Sequence, residues 1–222
     1  TPIKSSAASD VYKRQEYRRW RPGDAWQLGP FTLTDPYRTA VDIARTSAFR
    51  YALGYVDGLA REYGVEREEL RAYAQANCRG LHGIARAFDV FEHMDGRSDN
   101  GGESEARAAM ILAGVAAPEL QVEITRPGNA GYYLADYGWQ MPNGSWMLAE
   151  LHGLGKFEDD AQNDPEHTAA KTYRAALMRD ANLRAMGHNV IHFKLSDTYD
   201  VKAFGSMMRG YGIPTTKPYA DS

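Results

Sequence analysis

"YYLADYGWQMPNGSWMLAELHG", Tyr132 to Gly153, sets two strand-like runs on either side of a Pro-Asn-Gly turn. The length of that turn decides which residues the runs bring together. Pro142 suits the first central position of a type I turn and Asn143 the second, and Gly144 suits the left-handed residue that closes a three-residue hairpin with a bulge. With Pro142 to Gly144 as the loop, Met141 faces Ser145, Gln140 faces Trp146, Gly138 faces Leu148 and Asp136 faces Glu150. The alternative, a two-residue Asn-Gly loop, shifts the register by one and sends the two acids to opposite faces. Pro142 favours the longer loop.

Opposed residues share a face with Cβ atoms about 4.5–5.5 Å apart, and like charges so placed repel. An Asp136–Glu150 pair therefore calls for a cation between its members or a proton on one of them. The other face of the hairpin reads as continuous and apolar: Ala135, Tyr137, Trp139, Met147, Ala149 and Leu151. Tyr132, Leu134, Trp146 and Leu148 accompany the acids, so the sheet is expected to be covered on both sides, an α/β arrangement. His152 lies two residues beyond Glu150 on the same face, and Lys156 follows a Gly153–Gly155 turn able to return its amine. Two acids, a His and a Lys suit metal-assisted attack of water on a phosphodiester. The carboxylates would hold Mg²⁺ or Mn²⁺ through oxygen, the metal acidifying a water, with Lys156 taking developing charge. The plainer reading is an edge-strand surface pair, with His152 a rim histidine.

Outward from the hairpin the pattern is α-β-β-β-α-β. "ESEARAAMILAG" reads as a helix ending at Gly114, with Met110 and Ile111 inward. "ELQVEITR" alternates as a strand and "PGNAG" is a turn. After the hairpin a long helix runs from Pro165 to Met186, with Tyr173, Leu177 and Leu183 marking its inner side. Its Arg174, Arg179 and Arg184 read as a solvated face, a phosphate contact being the lesser reading. "NVIHFK" is the last strand. Upstream, "GPFTLT" suggests a short strand, Asp35 and Pro36 open a helix, and three more helices follow, stopping near Gly64, Gly80 and Met94, with "DGRSDNGG" as a linker. Residues 1–15 join no periodic pattern and are expected to be a non-native or disordered leader. Residues 16–97 are expected to form a helical N-terminal region and 98–222 the α/β domain.

The 222 residues carry 26 basic and 29 acidic side chains, a net charge of −3, so global charge does not advertise nucleic-acid binding. The single Cys78 cannot form an internal disulfide, which suits a reducing cytoplasm. No apolar run reaches the ~20 residues of a membrane span. Neither a nucleophile elbow nor a Gly-rich phosphate loop is present, which speaks against a small-molecule hydrolase.

The order of elements, with an acid on the second strand and another on the third, resembles the restriction-endonuclease-like PD-(D/E)XK nuclease fold. More closely, residues 98–200 resemble the very-short-patch-repair-like domain of unknown function. The blocks that carry the likeness are "ESEAR" (Glu103 to Arg107), "PELQV", Asp136, "ELHGLGK" (Glu150 to Lys156), "LRAMG" and "VIHF". "TDPYRTAVDIAR" is similar to a segment that follows a winged helix in relatives of AbiEi-type antitoxins, and that winged helix is expected to be missing here. The resemblance implies a restriction-endonuclease-like αβββαβ core with a mixed sheet and a DNA endonuclease or nickase. Asp136, Glu150 and Glu103 would be its metal ligands, Lys156 would assist, and His152 would be a ligand or acid/base. DNA is the implied partner, with a homodimer left open. Two departures stand out: Ala135 replaces the Pro before the Asp, and His152 stands where the nuclease motif has Lys. If Lys156 does not reach the site, the implied protein is an antitoxin-type DNA-binding regulator on a nuclease-like scaffold.

Overall fold

The computed structural model describes residues 25–129, 131–152 and 165–219. It divides into two compact units, one reaching to Thr39 and the other running from Ala40. In the first, β1 (Ala25–Leu28) and β2 (Phe31–Thr34) form an antiparallel hairpin. The strand at "FTLT" follows the sequence reading, but its partner β1 was not read. Asp35 then opens α1 (Pro36–Thr46), its carboxylate accepting the Tyr37 N–H at 2.6 Å.

The second unit takes in α1 from Ala40 onward and continues with α2 (Phe49–Tyr63), α3 (Arg67–Asn77) and α4 (Ile84–Glu92). α2 stops because Gly64 adopts the left-handed conformation (φ 64°) and its N–H returns to the Ala60 carbonyl. α3 starts with a reciprocal cap between Glu66 and Glu69. The linker "DGRSDNGG" is shorter than expected. Asn100 already caps α5 (Gly101–Leu112) by accepting the Glu103 N–H at 3.1 Å, which draws Gly101 and Gly102 into the helix. α2 packs on α5, and the buried Asp57 of the former takes a forked pair of hydrogen bonds, 2.7 and 2.9 Å, from Arg107 of the latter. Burial pushes the Asp57 carboxyl up from its usual range, and Arg107 pulls it back part of the way.

A four-stranded mixed sheet follows in the order β3 (Glu119–Thr125), β4 (Tyr132–Gln140), β5 (Trp146–His152) and β6 (Asn189–Lys194). The first three strands are antiparallel, and β6 pairs parallel to β5. A parallel partner needs a crossover, and α6 (Pro165–Ala185) lies in that connection. An α/β class with a mixed sheet is therefore observed. One further helix, α7 (Val201–Gly210), was not read from the sequence.

The hairpin register is the three-residue one. Gln140 pairs with Trp146, Gly138 with Leu148 and Tyr137 with Ala149, the Met141 N–H meets the Ser145 carbonyl at 2.8 Å, and Gly144 has φ 81°. One face of the sheet packs Tyr137, Trp139, Met147, Ala149, Ile191 and Phe193 against Ala106, Ala109 and Met110 of α5 and Phe204 and Met208 of α7. The opposite face packs Val122, Ile124, Leu148 and Val190 with Leu183 of α6. The sheet is thus covered on both sides, except that Tyr132 and Leu134 at one end of β4 stay 52% and 41% exposed. Leu183 is inward as expected. Leu177 is not, at 52% exposed, and the side chain of Tyr173 lies outside the described residues.

The expected apolar face needs one correction. Ala135 packs with Val122 and Leu148, on the side opposite Tyr137. Its neighbour strand does the same, Leu120 packing with Tyr137 and Val122 with Ala135. Both strands therefore break alternation at one step, Gln121 on β3 and Asp136 on β4. Gln121 has φ 53°, the one positive value on a non-glycine among the described residues, in a region most side chains avoid. Beyond α7 the chain returns to the end of α5. Val115 bridges to Thr215, the Ala116 N–H meets the Pro214 carbonyl at 2.9 Å, and the Thr216 N–H meets the Gly114 carbonyl at 2.8 Å.

Candidate functional site

The β4–β5 ladder ends at Tyr137–Ala149. One more step would pair Asp136 with Glu150, but there the carboxylate of Asp136 takes the place of a ladder carbonyl and accepts the Leu151 N–H at 2.9 Å. Asp136 and Glu150 thus each lie one residue beyond the last ladder pair, at the point where the strands part. Asp136 engages the backbone of β5, and Glu150 turns toward α6.

Glu150 finds its partner there. Arg179 donates from both terminal nitrogens, one to each carboxylate oxygen, and also donates to the Leu134 carbonyl of β4. Both side chains are largely covered, Arg179 at 23% and Glu150 at 15% exposure. The forked geometry is the strong form of this interaction. The reading of Arg179 as solvated is corrected: it ties α6 to β4 and β5. The sequence reading asked for a cation between the acids or a proton on one of them; the protein supplies a cation to Glu150 itself. Repulsion between the acids therefore no longer requires a metal. The spacing contained the signal that was missed. Arg179 lies four residues before the inward Leu183, on the same side of the helix. Arg184, by contrast, is 58% exposed and 3.7 Å from Asp180, and Arg174 is exposed.

Glu103 is placed as a cap. Its Oε2 accepts the Asp99 N–H at 2.7 Å and Nε2 of Gln121 at 3.2 Å, and its Oε1 accepts Nδ2 of Asn100 at 2.8 Å. With 4% exposure, it satisfies donors at the start of α5 and holds the strained Gln121. Tyr137 donates its hydroxyl to the Glu103 carbonyl at 2.8 Å, and burial pushes that phenol well above its ordinary pKa, so it stays a donor.

His152, at the end of β5, is exposed, and its ring stacks on His192 of β6 with centroids 4.7 Å apart. His192 in turn meets Asp180 of α6 at 2.8 Å. Neither His192 nor Asp180 was read from the sequence as part of a site. Lys156 lies outside the described residues. Among the described residues no group of three or more His, Cys, Asp or Glu side chains is arranged to hold a metal ion.

No family model matches the chain, and no solved structure matches significantly. Two curated relatives are similar to it, uncharacterised proteins from two strains of Mycobacterium tuberculosis. Each is 37% identical over 106 residues, a match covering 48% of this chain and 38% of the relative. The chain thus spans about two fifths of the length of the relatives it matches.

Proposed function

We propose that this chain is a divalent-metal-dependent DNA endonuclease or nickase on a restriction-endonuclease-like core, with Asp136 and Glu150 as its metal-facing pair. The position of the two acids, each one residue beyond the last β4–β5 pair, carries this reading. The donor chemistry fits a hard cation: Mg²⁺ takes oxygen ligands and is commonly held by one or two carboxylates, with waters and substrate phosphate completing the shell. The guanidinium already seated on Glu150 marks where a cation is stabilised. Glu103 is left out of the proposed ligand set, since its two oxygens serve the start of α5 and Gln121. When bound, the metal would supply an acidified water and offset charge on the phosphate. The protein's part is to hold Asp136 through the Leu151 N–H and to aim Glu150 from a strand buried between helices.

One observation favours a second reading, an antitoxin-type DNA-binding regulator. Both oxygens of Glu150 are satisfied by Arg179, so the pair is complete as a structural tie. A supercoiled-plasmid nicking assay with Mg²⁺ or with chelator separates the two. The endonuclease reading expects nicking that needs the metal and falls in Glu150→Gln by more than the ~10–100-fold typical of losing an outer-shell partner. The exposed control Glu68→Gln should cut normally. Equal activity in both variants, or DNA binding without any metal-dependent cutting, removes the endonuclease reading.

A further inference from the structure

We infer that Arg179 is an exchangeable counter-ion for the site: it holds Glu150 until a divalent cation displaces it, and then turns its fork to a phosphate oxygen of the nucleic-acid backbone. The inference rests on the metal-dependent reading above and adds a residue and a ligand class to it.

Two observations carry it. Arg179 is the charged partner seen on Glu150, so a cation cannot take both oxygens of that carboxylate while the fork is in place. Its third contact, to the Leu134 carbonyl, sits at the end of β4 where Leu134 and Tyr132 are open to solvent. The released guanidinium is therefore at the rim of the sheet, where an extended polyanion has access. The fork that matches a carboxylate also matches a phosphate, so the exchange trades one oxyanion for another and leaves no buried charge uncompensated. Metal and DNA should then bind cooperatively, each removing the obstacle to the other.

The test measures Mn²⁺ binding by calorimetry on the whole chain, alone and with a short duplex carrying phosphorothioate linkages. Arg179→Gln should bind Mn²⁺ alone at least tenfold more tightly than the parent. The parent's Mn²⁺ affinity should rise severalfold with the duplex, and that gain should vanish in the variant. The variant's DNA binding should also lose about one unit of salt slope, the signature of one phosphate contact. Arg179→Lys, which keeps a charge but no fork, should fall between the two and serves if Arg179→Gln does not fold, as judged by circular dichroism. Equal Mn²⁺ affinity in parent and variants overturns the exchange while leaving the endonuclease reading in place. Absence of Mn²⁺ binding in every form, with or without duplex, overturns both.

Discussion

The guanidinium of Arg179 shows how one side chain can answer a question posed by two others. Asp136 and Glu150 are visible in the sequence as acids the turn is expected to bring together, and the need for a nearby cation or a proton follows from electrostatics alone. The source of the cation does not, because an arginine on a mostly polar helix looks the same whether it faces water or a carboxylate. Gln121 is illegible for a related reason: nothing in its chemistry announces a positive φ, and the face change it shares with Asp136 displaced Ala135 from its expected side. His93 allows a sharper forecast. Its ring lies edge-on to Phe49 and Tyr219, with centroids 5.5 and 5.6 Å away. Burial lowers its pKa, Arg107 and Arg67 lower it further, and Asp89 and Glu92 oppose them. A histidine that resists protonation when folded stabilises fully above its unfolded pKa of about 6.5, and that contribution is lost as pH falls through the lower folded value. Thermal melts from pH 8 down to pH 5 should show this loss, and His93→Gln should flatten that part of the profile. An unchanged slope in the variant would show that other groups cause it.

At the scale of elements, turns and caps were the readable features. Pro142, Asn143 and Gly144 fixed the hairpin register because each turn position demands a backbone conformation that few residues supply. Gly144 has φ 81°, and a Cβ there would meet nothing within 4 Å. The cost of Gly144→Ala is therefore purely conformational, about 1–2 kcal/mol, and should appear as a lower urea midpoint with the slope unchanged. A neutral result would mean that the turn relaxes to another type. Helix boundaries blurred where capping residues competed. Asn100 won over the glycines after it, and α5 began earlier than its apolar pattern suggested. α7 escaped because its apolar residues follow a short connection from β6 and were not separated from the chain's end.

At the scale of the whole molecule, the α/β class was legible because a sheet with apolar residues on both sides has to be covered by helices. Which helices cover it was not, since helix packing depends on contacts between distant parts of the chain. α7 illustrates the point. Phe204 is 1% exposed and sits in the same core as Tyr137 and Phe193, whose ring centroid is 5.3 Å away. Phe204→Ala should cost about 3–5 kcal/mol by transfer and cavity terms together. Tyr211→Ala, at 49% exposure just past the helix, should stay within about 0.5 kcal/mol. Denaturant titrations of the two variants give the comparison, and similar midpoints would mean that α7 is not integral to the core. Among the described residues no helix is long and apolar enough to cross a membrane.

The strap that follows α7 has a consequence for the order of assembly. Thr216 returns to Gly114 across about a hundred residues, and at Gly114 a methyl group would meet Pro218 and the Thr216 carbonyl at 2.9 Å. Contacts so far apart along the chain form late. During synthesis, then, the end of α5 and the adjoining core stay open until the segment around Thr216 has left the ribosome, and the nascent protein passes through an interval with greasy surface on display.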